Sequence, residues 1–213
     1  ISYILQGVLS VLAIGAIVLF QPELRRALEK IGRSSIKDIF MFDESDRRIQ
    51  TTAVIEEIVK ACVDLSSKYI GALIVIERNT KLGEIINTGT PLDSHVSSEL
   101  IKNIFVPDTP LHDGAIIIRD NRIKAAACFL PLTDNPNLSK ELGTRHRAAL
   151  GITEVSDCIA IVVSEESGKI SFALNGGLTR NLTSDTLRKA LNKNLLDTEN
   201  NSRRIGLWRV KTK

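Results

Sequence analysis

The residues of this chain best suited to chemistry form the run Leu111-His112-Asp113-Gly114-Ala115, which leads directly into three isoleucines. An apolar triplet that ends near an Asp-Asn pair predicts a buried strand entering a tight hairpin. Asp113 would therefore lie where a loop enters the sheet, on an element rigid enough to aim its side chain. Gly114 has no Cβ and Ala115 a small one, so a ligand could approach this floor closely. The pattern suits a metal-bound phosphate ester, although Asp and Gly are also ordinary turn residues.

A second run, Gly143-Thr144-Arg145-His146-Arg147, precedes a short helical stretch. Backbone N–H groups at a helix start, a Thr hydroxyl and an Arg fork together make an anion site suited to phosphate. The alternative is a solvated basic helix face. Adjacent helical side chains point about 100° apart, so three consecutive residues cannot face one ligand equally. The preceding Gly-Thr pair favours Thr144 and Arg145 as phosphate ligands, with His146 and Arg147 as weaker candidates.

Two further segments carry suitable groups. Ser164-Glu165-Glu166-Ser167-Gly168 follows an apolar strand pattern and supplies two carboxylates, though such a turn is often merely solvated. Cys128-Phe129-Leu130 closes another strand, where an aromatic ring and backbone polar groups could contact a base. A Phe at a strand end is otherwise a plain core residue.

The Asp-Gly-Ala run at 113–115 and the Arg-His-Arg run at 145–147 resemble the two signatures of the diadenylate cyclase domain family known as DisA_N. They occur in that family's order, with the acidic segment at 164–168 after them. The resemblance covers most of the chain, from Asp46 to Gly177. The hydrophobic N-terminus is similar to that of the membrane-bound CdaA type within the family.

The resemblance implies that two ATP molecules are condensed into cyclic di-AMP, a bacterial second messenger, with release of two pyrophosphates. It implies Asp113, Arg145 and His146 as catalytic residues. It also implies a divalent Mn²⁺ or Mg²⁺ cofactor held by Asp113 and Glu166, since carboxylates are hard oxygen ligands. His112 could be a ligand, a hydrogen-bond partner or neither. The implied substrate-binding residues are Gly114, Ala115, Phe129, Leu130, Gly143, Thr144, Arg145, Arg147, Ser164 and Glu165.

Two alternatives belong to other functional classes. One is a catalytically inactive, adenine-nucleotide-binding membrane sensor, and the other is a metal-dependent phosphoesterase using His112 and Asp113. The cyclase is favoured because all three motifs are intact, and because two-metal hydrolases need more ligand residues. Reciprocal attack between two ATP molecules further implies a homodimer with two facing sites.

The composition narrows the class of protein. A chain of 213 residues with 43% apolar content can form one catalytic domain with an appendage. A net charge of +3 and 4% aromatic residues argue against a nucleic-acid partner. Cys62, Cys128 and Cys158 are odd in number and lie in apolar segments, which predicts reduced core residues. The chain has neither a Gly-x-Gly-x-x-Gly nor a Walker-type loop.

The first 20 residues contain no charged side chain. Twenty helical residues rise about 30 Å, the thickness of a bilayer core, so residues 1–21 are predicted as a transmembrane helix, the last of several. A signal peptide would show a basic start and a cleavage site. The cluster Arg25, Arg26, Lys30 and Arg33 places the following domain in the cytoplasm of a membrane-bound protein. A membrane or cytosolic regulatory protein is a further candidate partner.

The remaining pattern predicts the α/β class, with a mixed central sheet flanked by helices. Residues 22–45 are predicted as a juxtamembrane helix and linker, 46–195 as the catalytic domain and 196–213 as a basic tail. Predicted helices cover 47–68, 94–105 (with Ser94 as N-cap and His95 on its surface) and 184–195. Predicted strands cover 72–76, 116–118, 123–130, 158–163 and 169–174. Residues 81–89 are predicted as a loop or short strand, 131–140 as a polar loop, and Asn175-Gly176-Gly177 as a break in the chain.

Overall fold

The computed structural model describes residues 44–135 and 142–196, with side chains from residue 48 onward, and Gln6. The chain divides into two compact units, Ile1–Arg47 and Arg48–Lys213. Apart from Gln6, the predicted transmembrane helix lies outside the described residues, as do 22–43 and the tail from 197. Among the residues that are described, no helix has the length and apolar character needed to cross a membrane.

The described part of the chain contains five helices and seven strands. The helices are α1 (Glu44–Ser67), α2 (Gly83–Ile86), α3 (Ser98–Ile104), α4 (Thr144–Val155) and α5 (Ser184–Leu195). The strands are β1 (Ala72–Ile76), β2 (Thr90–His95), β3 (Ala115–Arg119), β4 (Arg122–Cys128), β5 (Ile159–Val163), β6 (Ile170–Leu174) and β7 (Gly177–Leu182).

The strands form one seven-stranded sheet in the order β2-β4-β3-β1-β5-β6-β7. β1 lies at its centre and pairs in parallel with β3, where Ile74 lies opposite Ile116. It pairs antiparallel with β5, where Ile74 lies opposite Ile161. The sheet is therefore mixed and flanked by helices, which confirms the predicted α/β class.

Each face of the sheet buries a separate apolar cluster, because successive strand residues point to opposite sides. In β5, Ile159, Ile161 and Val163 belong to the cluster that contains residues of α1, α3 and α5. Ala160 and Val162 belong to the other cluster, which contains residues of α2 and α4. We call these two sides the α1 face and the α4 face.

The β3–β4 hairpin turns at Asp120 and Asn121, as predicted. Both residues have positive φ, 51° and 58°, which is the geometry of a two-residue type I′ turn. β4 is irregular: its register with β3 shifts, and Ala127 also has a positive φ of 53°. Because of this bulge, Ala126 lies in the cluster of the α1 face and Cys128 in that of the α4 face.

The predicted helix over 94–105 is wrong in its first turn. Residues Thr90–His95 form β2, paired with β4, and the helix begins at Ser98. Its N-cap is Ser97 instead of Ser94, with the Ser97 side chain accepting a hydrogen bond from the Leu100 N–H. Serine is a good N-cap at either position. Because Thr90–His95 pairs with β4, the helix begins only after this strand, and His95 lies in the strand.

Several other segments differ from the predictions, and α1, for example, begins at Glu44 instead of residue 47. The 81–89 segment contains the short helix α2, and β4 ends at Cys128 before Phe129 and Leu130. Asn175 and Gly176 do not break the chain but form a two-residue turn with φ of 50° and 71°, which leads into β7. β1 and α5 have the predicted boundaries. The three cysteines are buried and unpaired, as expected.

Candidate active site

A pocket of about 650 Å³ opens where the loop before β3, the end of β4, the start of α4 and the end of β5 meet. This volume lies within the range of ~300–1,000 Å³ that is usual for small-molecule sites. The pocket brings together most of the predicted site residues from four separate segments of the chain. Its lining comprises Leu73, His112, Asp113, Gly114, Cys128, Phe129, Leu130, Leu132, Gly143, Thr144, Arg145, His146, Ala148, Val162, Val163, Ser164, Glu165 and Glu166.

Asp113 projects from the loop that enters β3. Its side chain is exposed and forms no hydrogen bond or ion pair with the described residues. Gly114, at φ 110°, packs so tightly that an added Cβ would lie 2.8 Å from the Cys128 carbonyl oxygen. A glycine is therefore required for the loop to lie against the β4 bulge. Ala115 is fully buried below this floor and is not part of the lining.

His112 has a defined tautomer. Its Nδ1 lies 2.5 Å from the carbonyl oxygen of Thr109, and a carbonyl can only accept, so Nδ1 carries the proton. Nε2 is then left with a lone pair when the ring is neutral. A histidine held in this way by a backbone carbonyl is typical of residues that ligate a metal through the other nitrogen.

The start of α4 supplies the basic part of the site. Gly143 is the N-cap and offers no side chain to the first N–H groups, which have no acceptor within the helix. The Arg145 side chain is 22% exposed, and its Nη1 donates to Glu165 Oε2 at 2.6 Å. Thr144 is exposed at the same turn. Phosphate oxygens would meet backbone N–H groups, a hydroxyl and a guanidinium here.

His146 and Arg147 differ in position, because His146 contributes to the pocket lining and Arg147 does not. His146 is buried, and its Nε2 lies 3.3 Å from the Ser171 hydroxyl on β6. Burial, with the nearby charge of Arg180, lowers the pKa of His146 below its usual value. Arg147 is outside the pocket lining, and its Nη2 donates to the Thr133 carbonyl at 3.5 Å.

The acidic turn after β5 carries Ser164, Glu165 and Glu166 to the pocket edge. The turn is closed by the Gly168 N–H, which donates to the Ser164 carbonyl at 2.9 Å. Glu165 is engaged by Arg145, whereas the Glu166 side chain has no hydrogen bond or ion pair among the described residues. Among the described residues, Glu166 and Asp113 are therefore the two carboxylates of the lining that form no hydrogen bond or ion pair.

The apolar part of the lining was largely missed by sequence reasoning. Phe129 and Leu132 are 67% and 48% exposed at the pocket, where Phe129 is held by its N–H donating to Thr88 Oγ1 at 3.0 Å. Leu73 and Val162 are cross-strand partners on the α4 face. Burial raises the pKa of the Cys128 thiol to about 11, so this cysteine is an unreactive wall residue. The apolar strand patterns around Leu73 and Val162 predict that both residues are buried. The same pattern is found for any core residue, so it does not identify residues that line a pocket.

The arrangement combines three kinds of group that a nucleoside triphosphate requires. A helix N-terminus with Thr144 and Arg145 can bind phosphate, and Phe129 with Leu130 and Leu132 can contact a base. Asp113 and Glu166 can bind a cation. Groups of three or more His, Cys, Asp and Glu side chains placed to hold a metal are absent from the described residues, so these two carboxylates alone do not make a complete metal site.

The family model described as DisA bacterial checkpoint controller nucleotide-binding matches residues 59–178. The cyclic di-AMP synthase CdaA of Bacillus subtilis is 51% identical over 191 residues, covering 87% of this chain and 68% of its own length. The diadenylate cyclase of Listeria monocytogenes is 52% identical over 182 residues, covering 84% of this chain. The match spans 65% of that protein, so the chain corresponds to about two thirds of these relatives.

Two solved structures share the fold. A double cysteine mutant of DacA from Staphylococcus aureus superposes with a TM-score of 0.66 at 46% identity, covering 67% of this chain and 95% of that one. A hypothetical membrane spanning protein from Bacillus cereus superposes with a TM-score of 0.58 at 38% identity, covering 78% of this chain and 80% of that one.

Proposed function

The chain belongs to the family of DisA-type diadenylate cyclases, and we propose that it condenses two ATP molecules into cyclic di-AMP and two pyrophosphates. The observation that carries the proposal is a single pocket lined by Asp113, by Thr144 and Arg145, and by Glu166. These residues come from three motifs that are far apart in the sequence. Their convergence supplies phosphate-binding and carboxylate groups within reach of one nucleotide.

In the proposed reaction, the 3′-hydroxyl oxygen of one ATP attacks the α-phosphorus of the other. The new O–P bond replaces the bond from the α-phosphorus to the bridging oxygen, pyrophosphate leaves, and the hydroxyl proton is released. The 3′-hydroxyl of the second nucleotide attacks the α-phosphorus of the first in the same way, which closes the ring and releases the second pyrophosphate and a second proton. Little covalent chemistry is needed from the protein, so positioning and charge neutralisation dominate. Thr144, Arg145 and the first N–H groups of α4 hold the triphosphate. Asp113, which lines the pocket and has no hydrogen bond or ion pair with the described residues, would orient the hydroxyl and help to activate it.

A divalent cation, Mg²⁺ or Mn²⁺, is proposed as the cofactor. Asp113 and Glu166 suit a hard cation, because both are carboxylates of the pocket lining that have no hydrogen bond or ion pair with the described residues. Asp113 and Glu166 would hold the ion, and the phosphate oxygens of ATP would complete its coordination. When bound, the ion would neutralise phosphate charge and polarise the reacting groups.

We also propose that catalysis requires two chains. One chain offers one Asp113 and one Thr144-Arg145 pair, which suits a single triphosphate, whereas the reaction consumes two. A two-fold axis between protomers would bring two equivalent sites face to face. The exposed Phe129 and Leu132 at the pocket rim support a contact between copies at this position. Specific activity should rise with chain concentration, and a specific activity that stays flat across the dimer dissociation constant would exclude the shared site.

Attachment to the cell membrane is a further part of the proposal. Residues 1–21 would form the anchor and 46–195 the cytoplasmic catalytic domain, consistent with a similar protein described as membrane spanning. Membrane fractionation of cells that express the full sequence would test this. Recovery of the whole chain in the soluble fraction would refute the anchor but leave the enzymatic proposal intact.

The enzymatic proposal is tested by incubating the purified chain with ATP and Mn²⁺ or Mg²⁺ and identifying the products by mass spectrometry. Cyclic di-AMP and pyrophosphate in a 1:2 ratio are expected. Intact ATP with measurable binding would instead indicate a nucleotide sensor. AMP or ADP as the product would indicate a phosphoesterase.

A further inference from the structure

Gly71, just before β1, lies directly beneath the Arg145–Glu165 ion pair. A Cβ built on Gly71 would stand 2.4 Å from Arg145 Nη1, 2.8 Å from Arg145 Cζ and 2.6 Å from Glu165 Oε2. Real Cβ atoms essentially never approach heavy atoms closer than 3.0 Å. The guanidinium therefore occupies space that any side chain at position 71 would take. Gly71 itself is buried and is not part of the pocket lining.

The other tightly packed glycines differ in what they touch. A Cβ at Gly151 would lie 2.2 Å from the Pro131 carbonyl oxygen, and one at Gly89 2.4 Å from that of Ala126. Those neighbours are backbone, so a side chain there would strain the fold. At Gly71 the neighbours are the ends of two flexible side chains, and its φ lies outside the left-handed region that favours glycine. An alanine at 71 is thus compatible with the backbone but not with the observed position of Arg145.

The Arg145–Glu165 ion pair connects Gly71 to the phosphate-binding part of the pocket. Arg145 has five N–H donors, and one at Nη1 donates to Glu165, whereas the described residues accept no other hydrogen bond from this side chain. Glu165 is 60% exposed, so it does not by itself hold the pair in one place. Because Gly71 has no side chain, the guanidinium can lie in the orientation seen in this structure. A bidentate grip on phosphate depends on the orientation of the guanidinium.

We infer that Gly71 is a positioning residue for substrate, because it is the platform on which Arg145 is set to receive the triphosphate of ATP. This inference rests on the proposed function, since it assigns ATP phosphate to Arg145. It also extends the phosphate site to a segment outside the Asp-Gly-Ala and Arg-His-Arg runs. A side chain at 71 would displace the guanidinium and cost phosphate binding while leaving the fold in place.

The test compares Gly71→Ala with Gly83→Ala as the matched control, because a Cβ at Gly83 would have no heavy atom within 4 Å. Gly71→Ala is expected to raise the KM for ATP about tenfold, as for loss of one charge-assisted hydrogen bond. The value of kcat and the melting temperature should stay close to wild type, because ground-state and transition-state binding are weakened alike. Gly83→Ala should leave KM and kcat unchanged. An unchanged KM in Gly71→Ala would overturn the inference.

A double-mutant cycle separates positioning from a structural role. In an Arg145→Ala background, Gly71→Ala should have no further effect on KM, because the displaced group is already gone. Additive effects would refute the inference. If Gly71→Ala fails to fold, the double variant decides: recovery of folding supports a clash with Arg145, and continued misfolding overturns the platform.

Failure of the proposed function would be recognised separately. If the wild-type chain makes no cyclic di-AMP, the same cycle is read as ATP affinity by calorimetry. Gly71→Ala should then lower ATP affinity about tenfold in the wild-type background and not at all in the Arg145→Ala background. That result would support the positioning role of Gly71 even though the cyclase proposal had failed.

Discussion

The two faces of the central sheet are built from different side chains. The cluster on the α1 face consists mainly of large aliphatic residues from β1, β3 and β5 and from three helices. On the α4 face, alanine and cysteine dominate the buried set, which includes Ala115, Ala148, Ala160, Cys128 and Cys158. The same strands supply both sides, because odd and even positions alternate between them. Large residues fill the α1 face, whereas small ones leave room for a pocket on the α4 face.

The difference separates the source of stability from the source of function. Burial of large apolar side chains contributes most of the favourable free energy of folding, about 1.5–3 kcal/mol for each fully buried Leu or Ile. Alanines contribute less but allow α4 to approach the sheet closely, with its N-terminal residues beside the Asp113 loop. Substitutions on the α1 face should therefore change stability, and those at the pocket should change substrate binding or turnover.

The largest expected effect is on the α4 side, at Asp113. Asp113→Asn keeps the size of the side chain but removes the charge, and turnover should fall more than 100-fold, since even outer partners of metal ligands cost ~10–100-fold. Stability should not change, because the Asp113 side chain is exposed and forms no hydrogen bond or ion pair with the described residues. Initial rates of cyclic di-AMP formation and a denaturant titration measure the two quantities. Near-normal turnover would remove Asp113 from the site.

The converse effect is expected from Ile161, which is fully buried on the α1 face. Ile161→Ala should lower the free energy of unfolding by about 2–5 kcal/mol through lost burial and a residual cavity. ATP affinity of the folded fraction should be unchanged. Its neighbour Val162 borders the pocket, so the matched Val162→Ala should cost clearly less stability and alter ATP affinity instead. Equal stability losses from urea titrations of the two variants would contradict the division between the faces.

A smaller effect should follow from filling the pocket. Ala148 lies on α4 and lines the pocket, so Ala148→Leu would occupy space intended for substrate. We expect ATP affinity to fall about tenfold, with at most ~1–3 kcal/mol of overpacking cost. Val155→Leu on the same helix is the control, since Val155 is 69% exposed and outside the lining. If calorimetry gives the same ATP affinity for Ala148→Leu and wild type, the pocket is not the substrate site.

The smallest effect concerns pH and the buried His146. Its pKa is lowered in the folded state by burial, with the charge of Arg180 second. Below the usual histidine value of about 6.5, the unfolded chain therefore binds a proton that the folded chain resists. Stability should fall as the pH drops from about 6.5 toward the folded-state pKa. The decrease should be smaller in His146→Gln, as measured by urea titrations at pH 7.5 and 5.5. An identical pH dependence in both proteins would argue against this origin.

The central elements could be predicted because their sequences are unambiguous. The continuous apolar runs of β1 and β5 and the mainly apolar β6 indicate buried strands, and Asp120-Asn121 indicates the hairpin. The edge strands β2 and β7 could not be predicted, because their residues are mostly exposed and polar. Their strand conformation depends on pairing with β4 and β6, which no local pattern contains.

The residues of the candidate site that could be predicted are mainly those with charged or hydrogen-bonding side chains. The runs at Asp113, Thr144-Arg145 and Glu165-Glu166 do meet at one pocket, as the resemblance implied. Their roles in binding and catalysis remain predictions. The bulge that brings Cys128 to the α4 face had no local signal, and Gly71 had none either. Gly71 matters because of a side chain 74 positions away, a proximity that only the fold creates.

The central position of β1 has a consequence for how the chain folds. Ile74 pairs with Ile116 on one side and with Ile161 on the other, so β1 is synthesised well before either of the strands that pair with it. Contacts between distant residues form slowly, because a long loop must close first. Until β5 emerges from the ribosome, an all-apolar strand has an open edge, which is a template for aggregation. We therefore expect that amides of β1 gain protection in pulsed hydrogen exchange no earlier than those of β5.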